Sequence, residues 1–229
     1  MITMAKPLES WRIRPEYTIA QAAKLAGTST TTVRRWLYGS EQPRRMRPVF
    51  GKREKTKEAK VEVSFLQLAE IVVVSRFRKR RVKLERLRRA HQFAREFLHI
   101  EYPFAWLKLK TDGAHVLGVF QDREPGETLL ALDKFGQWTL PGEVIQALEL
   151  FEYEEEFASR WYPIGRNVPI VIDPRFGAGK PTIPDRRLTI ETIFKRWKAG
   201  QTISFIASDF KLSRSLVETT LQYADNYIT

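Results

Sequence analysis

The first strong pattern of apolar and polar positions spans residues 17–37, YTIAQAAKLAGTSTTTVRRWL. Ile19, Ala22, Ala23, Leu25 and Ala26 recur at helical spacing. Thr18 with Gln21 forms a capping box, in which each side chain satisfies a backbone donor left open by the first turn. Gly27 stands where this helix ends, as glycine does when the chain must turn left-handed. Ser29 is a good cap for a second helix, with Val33, Trp36 and Leu37 on its packing side. The pair has the pattern of a helix-turn-helix. A helix fits the major groove and meets base edges near its N-terminus, where arginine and threonine are suited to guanine, phosphate and thymine methyl. The candidate contacts are Ser29, Thr30, Thr31, Thr32, Arg34, Arg35 and Tyr38, followed by Arg44, Arg45, Arg47, Lys52 and Arg53.

Beyond residue 48 the pattern predicts a β-hairpin wing. Val49-Phe50 and residues 61–63 are its strands, and GKREKTKEAK is a charged tip whose Lys52, Arg53, Lys55 and Lys57 suit phosphates. Ser64 with Gln67 is a second capping box, opening a helix with Phe65, Leu68, Ile71 and Val72 on one face. RFRKRR interrupts it. Residues 82–98 then form an amphipathic helix with Leu84, Leu87, His91, Ala94 and Leu98 on one stripe. Arg86, Arg88, Arg89 and Arg95 crowd its other sides, available for backbone contact.

The middle of the chain turns to alternating and short apolar runs. Strands are predicted at 106–110, 115–120 and 128–132, with Asp112-Gly113 as a hairpin turn. A helix follows Pro141-Gly142, carrying Val144, Ala147, Leu148 and Phe151. EYEEE after it is assigned to a solvated helical face, because consecutive glutamates on a helix point apart. Trp106, Phe120 and Trp138 belong to a small core with a dimer surface; the alternative is an effector pocket within residues 104–165. Residues 168–172 form a short strand. FGAGK fails as a phosphate loop, since Pro174 and Pro181 occupy positions that need other residues. Thr189, Thr202 and Ser213 then open three short helices, another helix-turn-helix-like unit. The predicted fold is α+β, mostly α. It comprises a DNA-binding domain at 1–100, a β-rich linker or dimerisation region at 101–165, and a three-helix unit at 166–229.

Charge sharpens this division. Residues 1–100 hold 24 Lys and Arg against 9 Asp and Glu, so +15 of the formal +12 lies there and residues 101–229 carry −3. A positive half suits a polyanion, and a mildly acidic half suits protein. The chain has no cysteine, and His91, His99 and His115 lack ligand spacing, so no metal site or cofactor is expected. No nucleophile or cofactor fingerprint points to an enzyme. No apolar run has membrane-span length and no signal-peptide core is present, so a cytoplasmic location is expected.

Two resemblances follow from these motifs. TIAQAAKLAGTSTTTVRRW, the basic wing and the helix pair SFLQLAEI…VKLERLRRAHQF resemble the winged DNA-binding domain of the MerR family. From Ile172-Asp173-Pro174 through Gly179-Lys180-Pro181-Thr182-Ile183 and Arg187-Leu188-Thr189-Ile190 to Leu221…Tyr223-Ala224, the C-terminal third resembles a prokaryotic domain-of-unknown-function family of VapB-like antitoxins. Asp185-Arg186 replaces that family's usual Gly-Thr before the arginine. Together the resemblances imply an antitoxin that neutralises a PIN-like ribonuclease toxin and represses its own operon as a homodimer on operator DNA. Arg186, Arg187 and Arg214 would meet the toxin's acidic site. The alternative is a MerR-type regulator sensing a small ligand through residues 104–165.

Overall fold

The computed structural model describes residues 8–41, 45–51, 62–123, 128–132 and 137–228. The chain is α+β and mostly helical, with small antiparallel two-stranded sheets. A short helix α1 (Ser10–Ile13) and strand β1 (Pro15–Tyr17) lead into α2 (Ile19–Ala26) and α3 (Thr30–Tyr38). Both halves of the Thr18–Gln21 capping box form, and Gly27 ends α2 at φ +63°. Strand β2 (Val63–Ser64), α4 (Phe65–Lys79) and α5 (Leu84–Phe97) follow. The Ser64–Gln67 box also forms, but α4 does not keep a single apolar face. Every residue from Phe65 to Ser75 is buried, and a helix enclosed on all sides belongs in the middle of a core. It packs against α1, α2 and later elements.

The wing is not built as expected. β2 pairs with β1, Pro15 opposite Ser64 and Tyr17 opposite Val63, rather than with residues 49–50. Val49 and Phe50 are both buried, which an alternating ribbon would not allow. The Val49 N–H donates to the Trp36 carbonyl at 2.7 Å, and Phe50 meets the His91 ring edge-on. The predicted tip lies outside the described residues, Lys52 and Arg53 included.

The middle region departs further from expectation. Residues 107–110 and 115–120 are not strands but most of α6 (Leu107–Arg123), kinked at Asp112, and Trp106 before it makes only an isolated bridge with Phe157. Leu109, Gly113, Leu117 and Phe120 are its buried residues, a helical spacing that lies inside the apparent alternation. Asp112-Gly113 therefore turns no hairpin. Gly113 lets α6 approach its neighbour, since a Cβ there would stand 2.7 Å from a Leu140 methyl. Strands β3 (Ala131–Leu132) and β4 (Trp138–Thr139) pair, then come α7 (Gly142–Glu149) and the hairpin β5 (Phe151–Glu154) and β6 (Phe157–Trp161). EYEEE thus runs along β5 into its turn, with Glu155 and Glu156 at positive φ, and not along a helix. Trp106 and Phe120 border a space of only about 10 Å³; the Trp138 side chain lies outside the described residues.

One core runs from Tyr17 to Ile172 and a second lies in the C-terminal part. The segment between them is stitched on both sides. Ile172 and Trp161 exchange backbone hydrogen bonds of 2.8 and 2.9 Å, as do Val171 and Thr182. Ile170 enters the second core, while Ile172 enters the first. Strands β7 (Thr182–Ile183) and β8 (Leu188–Thr189) precede α8 (Ile190–Lys198), α9 (Ile203–Phe210) and α10 (Arg214–Ile228). α10 also packs on α2. No helix among the described residues is long and apolar enough to cross a membrane.

The α2–α3 and α9–α10 pairs are built on one frame, repeated 184 positions apart. Thr18 and Thr202 cap the first helices, accepting from the N–H of Gln21 and Phe205 at 3.1 and 3.2 Å. Gly27 and Lys211 end them left-handed at φ +63° and +53°. The next N–H, of Thr28 or Leu212, reaches back to Ala23 or Ala207 at 2.9 or 2.8 Å, completing the same Schellman turn. Ser29 and Ser213 cap the second helices, accepting from Thr32 and Leu216 at 3.1 Å in each case. The buried residues correspond as well: Ala22, Ala23, Val33, Trp36 and Leu37 match Ile206, Ala207, Val217, Thr220 and Leu221.

Candidate nucleic-acid interface

Capping and packing together fix what α3 can offer. Val33, Trp36 and Leu37 are buried against α2 and the core. The remaining positions face outward, with Ser29, Thr30, Thr31, Arg34 and Arg35 exposed. Ser29 and Thr32 are engaged with each other, their hydroxyl oxygens 2.8 Å apart, so they hold the helix start rather than standing free. Tyr38 donates its hydroxyl to Glu62, which brings the chain beyond the predicted tip back to the end of α3. Among the described residues Arg34 and Arg35 make no ion pair or side-chain hydrogen bond. With Thr31 and Tyr38 they border an open groove of about 690 Å³.

Arg35 also borders a second groove of about 360 Å³, shared with Arg78 and Lys79 at the end of α4. Arg76, Arg78, Lys79, Arg80 and Arg81 make this a basic ridge beside the exposed helix. Cations at a helix C-terminus suit its dipole, but so many together also repel. Repulsion from Arg76, more than burial, lowers the Lys79 pKa. A bound polyanion would relieve that crowding. The sequence reading missed this ridge as an interface and took it as an interruption; five basic residues in six were the available signal.

Other predicted contacts divide. Arg45 and Arg47 are exposed in the loop after α3, and Arg44 lies outside the described residues. Arg88 on α5 braces this loop, donating to the carbonyls of Pro48 and Arg47 at 2.9 and 2.6 Å. Arg86 is buried, stacked over Phe120 and bonded to Gln121, and Arg89 pairs with Glu85. These three serve the fold, and of the four α5 arginines Arg95 alone matches the expected free cation in being exposed without such a brace.

In the C-terminal part, Arg186 donates to the Lys211 carbonyl at 3.2 Å and so reaches the turn between α9 and α10. Arg214 opens α10 and is exposed; Arg187 is exposed at φ +48°. Trp197 and Phe205 expose 39% and 55% of their surface in the same unit, with Lys198 and Arg196 over their rings.

The EYEEE carboxylates meet arginines instead of water alone. Arg12, itself buried, lies within 4.0 Å of Glu9, Glu154 and Glu155 and bonds the Glu154 carbonyl. Arg175 bridges Glu154 and buried Asp173, and Arg160 bridges Glu152 and Asp173. Burial alone would raise the Asp173 carboxyl pKa. Bonds from the Arg175 side chain and backbone N–H, with Arg160, outweigh it and hold the group below the usual carboxylate range.

The family model described as "Putative DNA-binding HTH domain" matches residues 15–91, and the one described as "Protein of unknown function (DUF433)" matches residues 170–224. Two Mycobacterium tuberculosis proteins are similar over most of the chain. "Uncharacterized protein Rv2308" is 27% identical, across 93% of this chain and 92% of its own length. "Putative antitoxin VapB45" is 23% identical, across 86% and 88%. The crystal structure of Rv2018 from the same organism superposes with a TM-score of 0.76 at 22% identity, over 90% of this chain and 97% of its own, which establishes a shared fold.

Proposed function

We propose that the chain is a DNA-binding antitoxin: it represses its own operon as a homodimer and neutralises a PIN-like ribonuclease toxin. The observation that carries the DNA half is the pair Arg34 and Arg35, exposed and unengaged among the described residues on a capped helix, beside the ridge at 76–81. Thr30, Thr31 and Tyr38 flank them for phosphate and base-edge contact, with Arg45 and Arg47 on the following loop. A two-fold dimer would place two such helices on two half-sites.

The toxin half is supported by a relative described as an antitoxin and by the exposed cations at one end of the C-terminal unit. Arg186, Arg187 and Arg214 would pair with carboxylates of an acidic nuclease site. The role is binding, not catalysis, and cytoplasmic. An electrophoretic shift on the DNA upstream of its own gene, with co-purification of the adjacent gene's product, tests both halves. A monomer that binds no DNA at low salt would sink the first, and an unbound neighbour the second.

A further inference from the structure

The most exposed large apolar side chain among the described residues is Phe97, with 58% of its surface open at the end of α5. Its ring stacks on Phe93 one turn earlier, with centroids 5.0 Å apart and planes 29° from parallel. Arg123, the last residue of α6, lies over both rings, 5.3 Å from Phe97 and 6.0 Å from Phe93, so the two helices share this patch. Val116 and Val119 stand on the same side of α6 as Arg123, at helical spacing, and both are half-buried. An aromatic anchor beside partly covered valines has the make-up of an interface core more than of a solvated helix end.

The rim points to one kind of partner. Exposed Arg95 and Glu96 precede Phe97, and exposed Asp122 precedes Arg123. Among the described residues none of these four charged side chains is in an ion pair; Glu96 accepts from Gln92 at 2.8 Å. On the same helix, by contrast, Arg88 and Arg89 both pair with Glu85. Two cations against two carboxylates leave the patch without net charge, so it does not suit a polyanion. It suits a copy of itself. Across a two-fold axis residue i meets j and j meets i, so each arginine can face a carboxylate of the other protomer. Position agrees with this. Leu84, at the start of α5, borders the groove shared by Arg35, Arg78 and Lys79. The helix then carries Phe97 about 20 Å along its axis from that groove, and a contact there does not cover α3.

We infer that two copies of this chain meet through the ends of α5 and α6, with Phe97 at the centre of a two-fold contact and Arg95, Glu96, Asp122 and Arg123 at its rim. The inference rests on the homodimer reading above and gives it a surface.

The chain has no cysteine, so a single one reports its own surroundings. Full-length wild type should sediment at twice the chain mass. Phe97→Asp should raise the dimer dissociation constant about thirtyfold or more, as loss of an interface anchor does, while its melting temperature holds because the residue is exposed. Phe97→Cys should be joined to its own copy by a short bismaleimide in dilute solution. Phe205→Cys, 55% exposed in the C-terminal unit, should not be. A wild-type dimer that survives Phe97→Asp, or a crosslink as ready in Phe205→Cys as in Phe97→Cys, would overturn this surface and leave the homodimer standing. An intact Phe97→Asp dimer that no longer holds the adjacent gene's product would also overturn it and give the face to that partner. A wild type that stays monomeric at every concentration would overturn both.

Discussion

At the scale of single residues, the chain separates arginines that build from arginines that wait. Arg12, Arg86, Arg88, Arg160 and Arg175 are tied into carbonyls, rings and carboxylates, while Arg34 and Arg35 are not. Arg34→Ala and Arg35→Ala should each weaken operator binding about ten- to a hundredfold, the worth of a bidentate base contact, measured by titrated gel shift. Their melting temperatures should hardly move, because exposed positions without partners contribute within roughly 0.5 kcal/mol. Asp173→Asn should act in the opposite way. It leaves Arg160 and Arg175, each about a third exposed, with a weaker acceptor, at a cost of about 1–3 kcal/mol in denaturant unfolding. Its acid sensitivity carries a definite sign. A carboxyl held low when folded contributes fully above its unfolded pKa of about 3.9 and loses that contribution as pH falls toward its folded value. Wild-type stability should therefore drop faster than the variant's below that pH. None of these pairings was legible in sequence, because Asp173 and its clamp meet across separate elements.

At the scale of elements, helices announced by a cap were readable and elements set by distant contacts were not. α2, α3, α4, α8, α9 and α10 begin where Thr or Ser signals a start. An extended piece near β2 was readable but its pairing was not, since its partner β1 lies almost fifty residues upstream and nothing local names it. α6 was misread for a different reason: LKLK and HVLGVF satisfy a period of two as readily as the helical spacing of Leu109, Gly113, Leu117 and Phe120. The two glycines of α6 make a paired test. Gly113→Ala presses a methyl onto Leu140 and should cost about 1–3 kcal/mol of overpacking. Gly118→Ala meets nothing within 4 Å and should stabilise by about 0.5–1 kcal/mol through helix propensity. Thermal melts of the two variants should shift in opposite directions.

For the whole molecule, the segregated charge was the most direct signal in the sequence, and the fold gives it a shape. Among the described residues, part of the N-terminal excess lies on α3 and on the ridge that ends α4, while the acidic hairpin is occupied by its own Arg160 and by Arg12 and Arg175 from outside it. Operator affinity should fall steeply with salt, by roughly 0.9 in log–log slope for each phosphate engaged. Replacing both Arg78 and Lys79 by Ala should flatten that slope by about two and weaken all sequences alike. A slope left unchanged would place the DNA elsewhere. The frame repeated 184 positions apart carries the last consequence. Its caps, turn and packing residues correspond, but the outward positions of Arg34 and Arg35 are Glu218 and Thr219 in α10. In engineering terms the frame is a socket with an exchangeable face. Glu218→Arg with Thr219→Arg should graft a second nucleic-acid grip onto the far end of the chain, visible as added affinity for nonspecific DNA at unchanged melting temperature.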